Sequence, residues 1–281
     1  MKKHIKLILI TILCLTLIGC GGNNKETEIP VSEKVQTIIN DAKSIGINQI
    51  VEYRLIINDK EANTTQELSV YADLNEITYN ETPARVIRKT SGIRRVNALG
   101  VILEENILSY EDITEEKTIE YTYNKEKNIW QTKINELVNI YNKDLFDFNE
   151  LLSQLELAEN IKFVNEKECY EYYAVLENDE LKSFAESNNL DSIVNIKAEM
   201  YVYINKNTYE PVQIIINFSN NDANIIVGEL ADSENMEYIL DTYKIIFNYN
   251  GFNTVESLII PEEAFNTFND DNLVIKDLEN D

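Results

Sequence analysis

The sequence predicts an α+β fold in which one antiparallel sheet carries most of the chain and a few short helices accompany it. Apolar and polar residues alternate with a period of two along most segments, which is the pattern of strands that bury one face. Segments with helical spacing are few, so the crossover helices that parallel strands require are not predicted. Polar turns join several of the alternating segments, as expected between antiparallel neighbours.

The first residues have the pattern of a secretory signal. A basic start with Lys2, Lys3 and Lys6 precedes the apolar residues 7–18, a stretch shorter than the roughly 20 apolar residues of a membrane span. The sequence Leu17-Ile18-Gly19-Cys20 then resembles a bacterial lipobox. The resemblance implies cleavage before Cys20 and acylation of its sulfur by chains such as palmitate, and two such chains anchor a protein stably. A secreted protein with an incidental cysteine, or an uncleaved anchor, is the alternative interpretation.

The charge of the chain excludes two classes of partner. The sequence has 25 Lys and Arg against 49 Asp and Glu, a formal net charge of −24. Removal of residues 1–19 takes away three lysines, which leaves 22 against 49, or −27. Such a field repels nucleic-acid phosphates and anionic lipid headgroups, so neither is an expected partner of the folded part.

The residue types beyond the signal exclude several kinds of active site. The single histidine, His4, lies within the signal, which argues against Ser-His-Asp and Cys-His hydrolases and against histidine-bound metals. Cys169 is the one cysteine after Cys20, so no intramolecular disulfide is expected, and its alternating context predicts a buried small side chain rather than a reactive thiol. The acidic neighbours Glu115-Glu116 and Glu262-Glu263 are expected to be solvated. We therefore expect no enzyme, cofactor or metal site, with a carboxylate-dependent hydrolase as a remote alternative.

Three short helices are predicted between the strands. Residues 20–31 form a flexible tether, and Ser32 caps a helix whose apolar face is Val35, Ile38, Ile39, Ala42 and Ile45. Residues 144–158 have helical spacing in Leu145, Phe148, Leu151, Leu152 and Leu155. A third helix is predicted over 179–188. Residues 32–281 are expected to form one domain that ends in a disordered acidic tail of about ten residues.

The strands are predicted from alternation. The segment "NQIVEYRLIIND" places Val51, Tyr53, Leu55 and Ile57 on one side. Strands are also predicted for "TQELSVYADL", for "NEITYNET" and for "TIEYTYNKEKNIWQTKI", which turns at 124–128 and carries Trp130 as a sheet-face anchor. Residues 194–218 form strand, turn and strand, the second starting at Pro211. In the last strand Tyr243, Ile245, Phe247 and Tyr249 share one side; Gly251 is expected to turn the chain into a short strand that ends at Pro261.

The C-terminal strands resemble a known group of proteins. The segments "YVYINKNTYEPVQIIINFS" and "IIFNYNGFNTVESLIIPEEA", with the Trp130 strand and "ECYEYYAVLENDELKSFAES", are similar to lipoproteins of Gram-positive bacteria, which in turn resemble the LolA/LolB and LppX/LprG groups. The resemblance extends over residues 32–268. It implies a curved, half-closed sheet whose concave face is partly covered by helices and holds acyl chains. Carried over to this chain, the resemblance assigns ligand binding to Met200, Val202, Ile204, Val212, Ile214, Ile216, Phe218, Ile245 and Phe247.

Two functions follow as hypotheses. The first is a non-enzymatic lipoprotein, anchored on the extracytoplasmic side of the cell membrane, that binds a lipid or other hydrophobic ligand on its concave sheet; the same face could instead pack on the helices with no void. The second is a lipoprotein of surface interaction, assembly or envelope sensing with a protein partner and no ligand cavity. For the second, Tyr201, Tyr203 and Tyr209 would supply contact surface.

Overall fold

The computed structural model describes residues 29–82, 84–98, 100–136, 147–176, 197–218 and 235–265. The chain divides into two compact units, Met1–Val31 and Ser32–Asp281. The sheet and its strands belong to the second unit. The helix predicted over 179–188, the strand residues Val194 and Ile196, and the C-terminal tail lie outside the described residues.

Long antiparallel strands make up most of the second unit. The helices are α1 (Val31–Asp41), α2 (Phe148–Ser153) and a 3₁₀ turn (Glu262–Phe265). The strands in chain order are β1 (Ser44–Asp59), β2 (Thr64–Thr82), β3 (Arg85–Ala98), β4 (Val101–Thr114), β5 (Lys117–Asn124), β6 (Ile129–Glu136), β7 (Glu156–Leu157), β8 (Lys162–Val164), β9 (Lys167–Leu176), β10 (Ala198–Asn205), β11 (Pro211–Phe218) and β12 (Met236–Phe252).

The strands form one open, mostly antiparallel, curved sheet. Over the described ranges the order is β6-β5-β4-β3-β2-β1-β12-β11-β10-β9-β7, with β8 on β9. Within β1–β6 and within β9–β12 chain neighbours are sheet neighbours, whereas β6 and β7 lie at opposite ends of the order. The two halves join where β12 pairs with β1 along almost its whole length. The predicted antiparallel sheet with few helices is confirmed.

The sheet has two faces, and each carries part of the core. We call the face that bears Ile214 and Ile245 the first face, and the opposite one, which bears Ile215 and Ile246, the second face. On the first face the Phe148 ring of α2 lies 6.1 Å from that of Tyr249. The helices are linked, because the Phe148 amide donates to Gln36 Oε1 of α1 at 2.9 Å.

The second face is buried at the other end of the sheet. Ile87, Tyr110 and Tyr121 form a core cluster there with Ile260 and Ala264 of the C-terminal segment. Tyr79 fixes this segment to β2, since its hydroxyl donates to the Glu256 carbonyl at 2.8 Å. The second face is therefore buried over β3–β6, where the first face also keeps the buried residues Val86 and Ile113.

The helix predicted over 144–158 is wrong in extent. The described helix runs only from Phe148 to Ser153, because the Asp147 side chain caps its start by accepting from the amides of Asn149 and Glu150. Its end is set by β7, which pairs with β9 and takes Glu156–Leu157 into the sheet. The helix α1 likewise begins at Val31 rather than after Ser32, and Ile45 belongs to β1 rather than to its apolar face.

The turn predicted at Gly251 is also wrong. Gly251 lies within β12 opposite Gly46, and residues 253–261 contain no strand. The chain turns at Asn253, whose φ is 56°. Its side chain accepts from the Lys43 amide at 2.6 Å and its own amide donates to the Ser44 carbonyl at 2.8 Å, so the turn is bonded to the start of β1. Pro261 precedes the 3₁₀ turn.

Candidate functional site

The nine predicted ligand-binding residues all lie on the first face of three adjacent strands. The cross-strand pairs include Val202 with Ile214 and Ile214 with Phe247. The residues that are 0% exposed are Met200, Val202, Ile204, Val212, Ile214 and Ile216. Phe218, Ile245 and Phe247 are 6%, 3% and 7% exposed. No water-sized space therefore lies against the six fully buried side chains, and a ligand would have to displace what covers them.

The tight turn between β10 and β11 explains why these residues share a face. Asn205 Oδ1 accepts from the amides of Asn207 and Thr208 at 2.8 and 3.2 Å. Tyr209 completes the turn with a φ of 59° and an amide that donates to the Asn205 carbonyl. The closed turn fixes the register in which Met200 opposes Ile216.

An aromatic rim lies where the first face becomes less buried. Phe218 stacks on Tyr243 with 4.2 Å between ring centroids, and Tyr243 meets Tyr53 edge to face at 5.5 Å. Both tyrosines are half-buried, and burial raises their pKa values above the usual range. Leu55 and Leu240 are the buried centre of this cluster. The sequence placed Tyr53 and Tyr243 on buried strand sides but gave no signal that they meet.

The first face becomes polar on β2–β4. Arg88 lies between two carboxylates, with its Nη1 2.9 Å from Glu111 and its Nε 3.4 Å from Glu76. Burial raises the pKa of the Glu76 carboxyl, Glu111 adds to this, and Arg88 opposes it. Because Arg88 binds both acids, the arrangement is an ion-pair network rather than an acid-base pair. From the sequence no helix or strand is predicted for residues 85–114, so this group is not predicted either.

The second face carries an open groove of about 380 Å³ over β12 and β1–β4. On one side Arg54 bridges Glu67 and Asp241 at 3.1 and 3.2 Å. On the other side Arg95 bonds Glu104, next to Ile102. The lining residues that complete it are Glu52, Tyr53, Ser69, Val70, Tyr71, Asn97 and Thr242. This groove lies on the opposite face from the predicted ligand site.

The remaining singled-out residues have structural surroundings. Cys169 is fully buried in β9, as predicted, and burial raises the pKa of its thiol. Trp130 packs in the second-face core, 5.9 Å from Tyr110, which confirms a sheet-face anchor. The acidic neighbours Glu115-Glu116 and Glu262-Glu263 are exposed, as predicted.

The three tyrosines suggested as contact surface, Tyr201, Tyr203 and Tyr209, are half-buried. Tyr201 contacts Tyr173 with 4.9 Å between ring centroids. Burial and the nearby Glu171 carboxylate raise the pKa of Tyr203. Lys34 Nζ lies 4.2 Å from the ring centre of Tyr209. Their rings therefore supply less contact surface than the sequence suggested.

The described ranges contain no group of three or more His, Cys, Asp or Glu side chains placed to hold a metal ion. In the same ranges no helix has both the length and the apolar content that a membrane crossing requires.

Comparison with known proteins gives similarity of structure only. No family model and no curated protein matches the chain. LprF from Mycobacterium bovis is 8% identical over 82% of this chain and 95% of that one, with a TM-score of 0.45. A putative outer membrane lipoprotein-sorting protein domain from Vibrio parahaemolyticus is 9% identical over 84% and 97%, with a TM-score of 0.22. A DUF1329 family protein from Desulfovibrio piger is 6% identical over 82% and 93%, with a TM-score of 0.25. At these TM-scores the function proposed for this chain rests on its own residues.

Proposed function

We propose that this protein is a non-enzymatic lipoprotein, anchored through acyl chains on Cys20 at the extracytoplasmic side of the cell membrane, that binds a lipid or other hydrophobic ligand on the first face of its sheet. The observation that carries the proposal is the division of this face. Fully buried apolar side chains on β10 and β11 continue into the aromatic rim of Tyr53 and Tyr243, and the polar group around Arg88 lies on the same face. An amphipathic ligand needs both kinds of surface.

The helix α2 is the proposed lid over the apolar part. It has only six residues, and its hold on the sheet includes the Phe148 ring against Tyr249. A helix this short has little stability of its own, so it depends on that packing. Displacement of Phe148 would open space beside Phe247 and Tyr249 without breaking a strand pair.

Ligand uptake tests this proposal. The full chain would be extracted with organic solvent and then titrated with a fluorescent fatty acid, and the material extracted would be identified by mass spectrometry. We expect a bound lipid and saturable uptake, which Phe148→Ala makes faster by loosening the lid. Phe163→Ala, at a 73% exposed phenylalanine on β8, is the matched control and should leave uptake unchanged. A chain that is isolated empty and takes up no fatty acid refutes ligand binding.

The anchor is tested separately. Cys20→Ala removes the sulfur that would carry the acyl chains, so the protein should leave sedimented membranes while its fatty-acid uptake is retained. A variant that stays as firmly bound to the membrane as the parent refutes the anchor and leaves the ligand proposal standing.

The second candidate function is a lipoprotein of surface interaction, assembly or envelope sensing without a ligand cavity. The observation that favours it is the complete burial of the six first-face side chains, which is what a packed core requires. It predicts an empty, uptake-negative chain that retains its membrane anchor.

A further inference from the structure

The strand β4 begins with six residues that are all exposed, Val101–Asn106, which we call the β4 edge. Val101, Ile102 and Leu103 leave 60%, 65% and 62% of their surfaces in solvent. Val101 and Leu103 lie on the first face and Ile102 on the second, so the edge is apolar on both sides of the pleat. Consecutive large apolar residues with this exposure mark an interaction surface.

The backbone of the β4 edge is paired on one side. Strand β4 pairs with β3 along its whole length but with β5 only from Ser109 to Ile113. Among the residues that the structure describes, no strand pairs with the outer side of Val101–Asn106. Its outward N–H and C=O groups therefore form a template on which an extended segment can add as a further strand.

The charges of the edge do not protect it. Natural edge strands are commonly blunted by charged side chains, lysine above all. The two charged residues here, Glu104 and Glu105, are each bound to an arginine of β3, with Arg95 and Arg94 both at 2.6 Å. The two ion pairs lie on opposite faces of the sheet, so the charge of each glutamate is neutralised. Neither glutamate therefore prevents another strand from pairing with the β4 edge.

Geometry and charge select the occupant. A second copy brings another chain of −24, so two copies that approach edge to edge repel each other through their net charge. A bilayer would meet the polar turn at residues 60–63 before it met the β4 edge. The hairpin of β1 and β2 extends to the pair of Asp59 and Thr64, whereas the hairpin of β3 and β4 ends beside Leu68, four residues further back along β2. An extended segment with alternating apolar residues and a net positive charge meets neither obstacle.

We propose that the β4 edge binds an extended, cationic segment of another protein by strand addition. Main-chain hydrogen bonds along Val101–Asn106 supply affinity. Apolar side chains of the segment contact Val101 and Leu103 on the first face, and its cationic side chains lie beside Ile102 on the second face. The second-face groove adjoins Ile102 and gives the segment's side chain on that face a place to enter. This surface is separate from the proposed lipid site.

Binding of a synthetic peptide tests the proposal with the full chain as isolated. The probe is a fluorescent peptide of about eight residues, within the usual range of strand lengths, with alternating lysine and valine. A second peptide has the same side chains and charge, but its alternate amides are N-methylated so that they cannot donate to the edge. We expect at least about tenfold weaker binding of the methylated peptide, together with slower amide exchange at Val101–Asn106 when the unmethylated peptide is bound.

Variants locate the contact. Ile102→Lys repels the cationic probe and blunts the edge, so it should weaken binding about tenfold or more. Ile259→Lys adds the same charge at a 77% exposed isoleucine outside any strand and should have little effect. Equal loss in both variants, or equal binding of the methylated peptide, overturns the proposal, because general attraction to a −24 chain would then explain it. Self-association abolished by Ile102→Lys, or slower exchange at the edge on adding phosphatidylcholine vesicles, assigns the edge to another occupant and also overturns it.

Discussion

Truncation of Ile214 tests whether the first face is packed as the structure describes. Ile214 is 0% exposed on β11, whereas its neighbour Ile215 is half-buried on the second face. The change Ile214→Ala removes three carbons, worth roughly 2.4 kcal/mol at about 0.8 kcal/mol each, before a cavity term is added. Measured costs for such truncations in full cores are about 2–5 kcal/mol. Ile215→Ala removes the same atoms from a partly solvated position and should cost less.

The assay is urea unfolding of both variants and the parent, followed through Trp130. This tryptophan packs in the second-face cluster with Tyr110 and Tyr123, so its emission reports global unfolding rather than the mutated strand. We expect the free energy of unfolding to fall by at least about 2 kcal/mol for Ile214→Ala and by clearly less for Ile215→Ala. Equal losses would refute the assignment of the buried face in β11.

The same pair of variants reports on the ligand. If a fatty acid enters against the first face, its affinity should change in Ile214→Ala and stay constant in Ile215→Ala. A change in the second variant alone would place the ligand on the second face of β11 instead.

Two further predictions concern buried titratable groups. Burial raises the pKa of Glu76 above its ordinary 4.5, so the stability it contributes is present below that pH and is lost as the pH rises through the raised value. Glu76→Gln cannot ionise; measured by urea unfolding from about pH 4 to pH 8, its stability relative to the parent should therefore increase with pH, and a constant difference would contradict the burial argument. Cys169 is 0% exposed and burial raises the pKa of its thiol, so in the native protein it should react with a thiol reagent far more slowly than in urea, as followed by mass spectrometry of its peptide. Equal reaction rates of the Cys169 thiol in the native and the unfolded protein would contradict its burial.

The sequence predicted the strands with unbroken apolar alternation and the residues that share a face within them. In β10 and β11 every second residue is apolar, and all the described ones lie buried on one side. Alternation shows that one face of a strand is buried, but it carries no information on which side of the sheet a distant segment covers. The second-face core over β3–β6 was therefore not predictable, because it depends on residues 258–265 packing there.

Charged strands were missed for a related reason. In β3 the arginines occupy positions that apolar residues would fill in a buried strand, so the segment lacks the usual contrast between its sides. Its arginines are satisfied by cross-strand acids in β4, such as Glu111 for Arg88 and Glu105 for Arg94. Such pairs appear only once the register is known.

The exposure of two arginines on the same face of β3 shows where that face is enclosed. The Arg94 side chain is 52% exposed, whereas that of Arg88, six residues earlier on the same first face, is 18% exposed. The C-terminal segment does not account for the difference, since it covers the other face. The end of α1 does approach here, because the Asn80 side chain donates to the Ala42 carbonyl at 2.8 Å. The polar part of the first face is thus more enclosed than an open sheet surface requires. It buries the carboxyl group of Glu76, and removing the charged form of this group from water costs free energy. Under the proposed function, this enclosed charged group would receive the polar end of an amphipathic ligand.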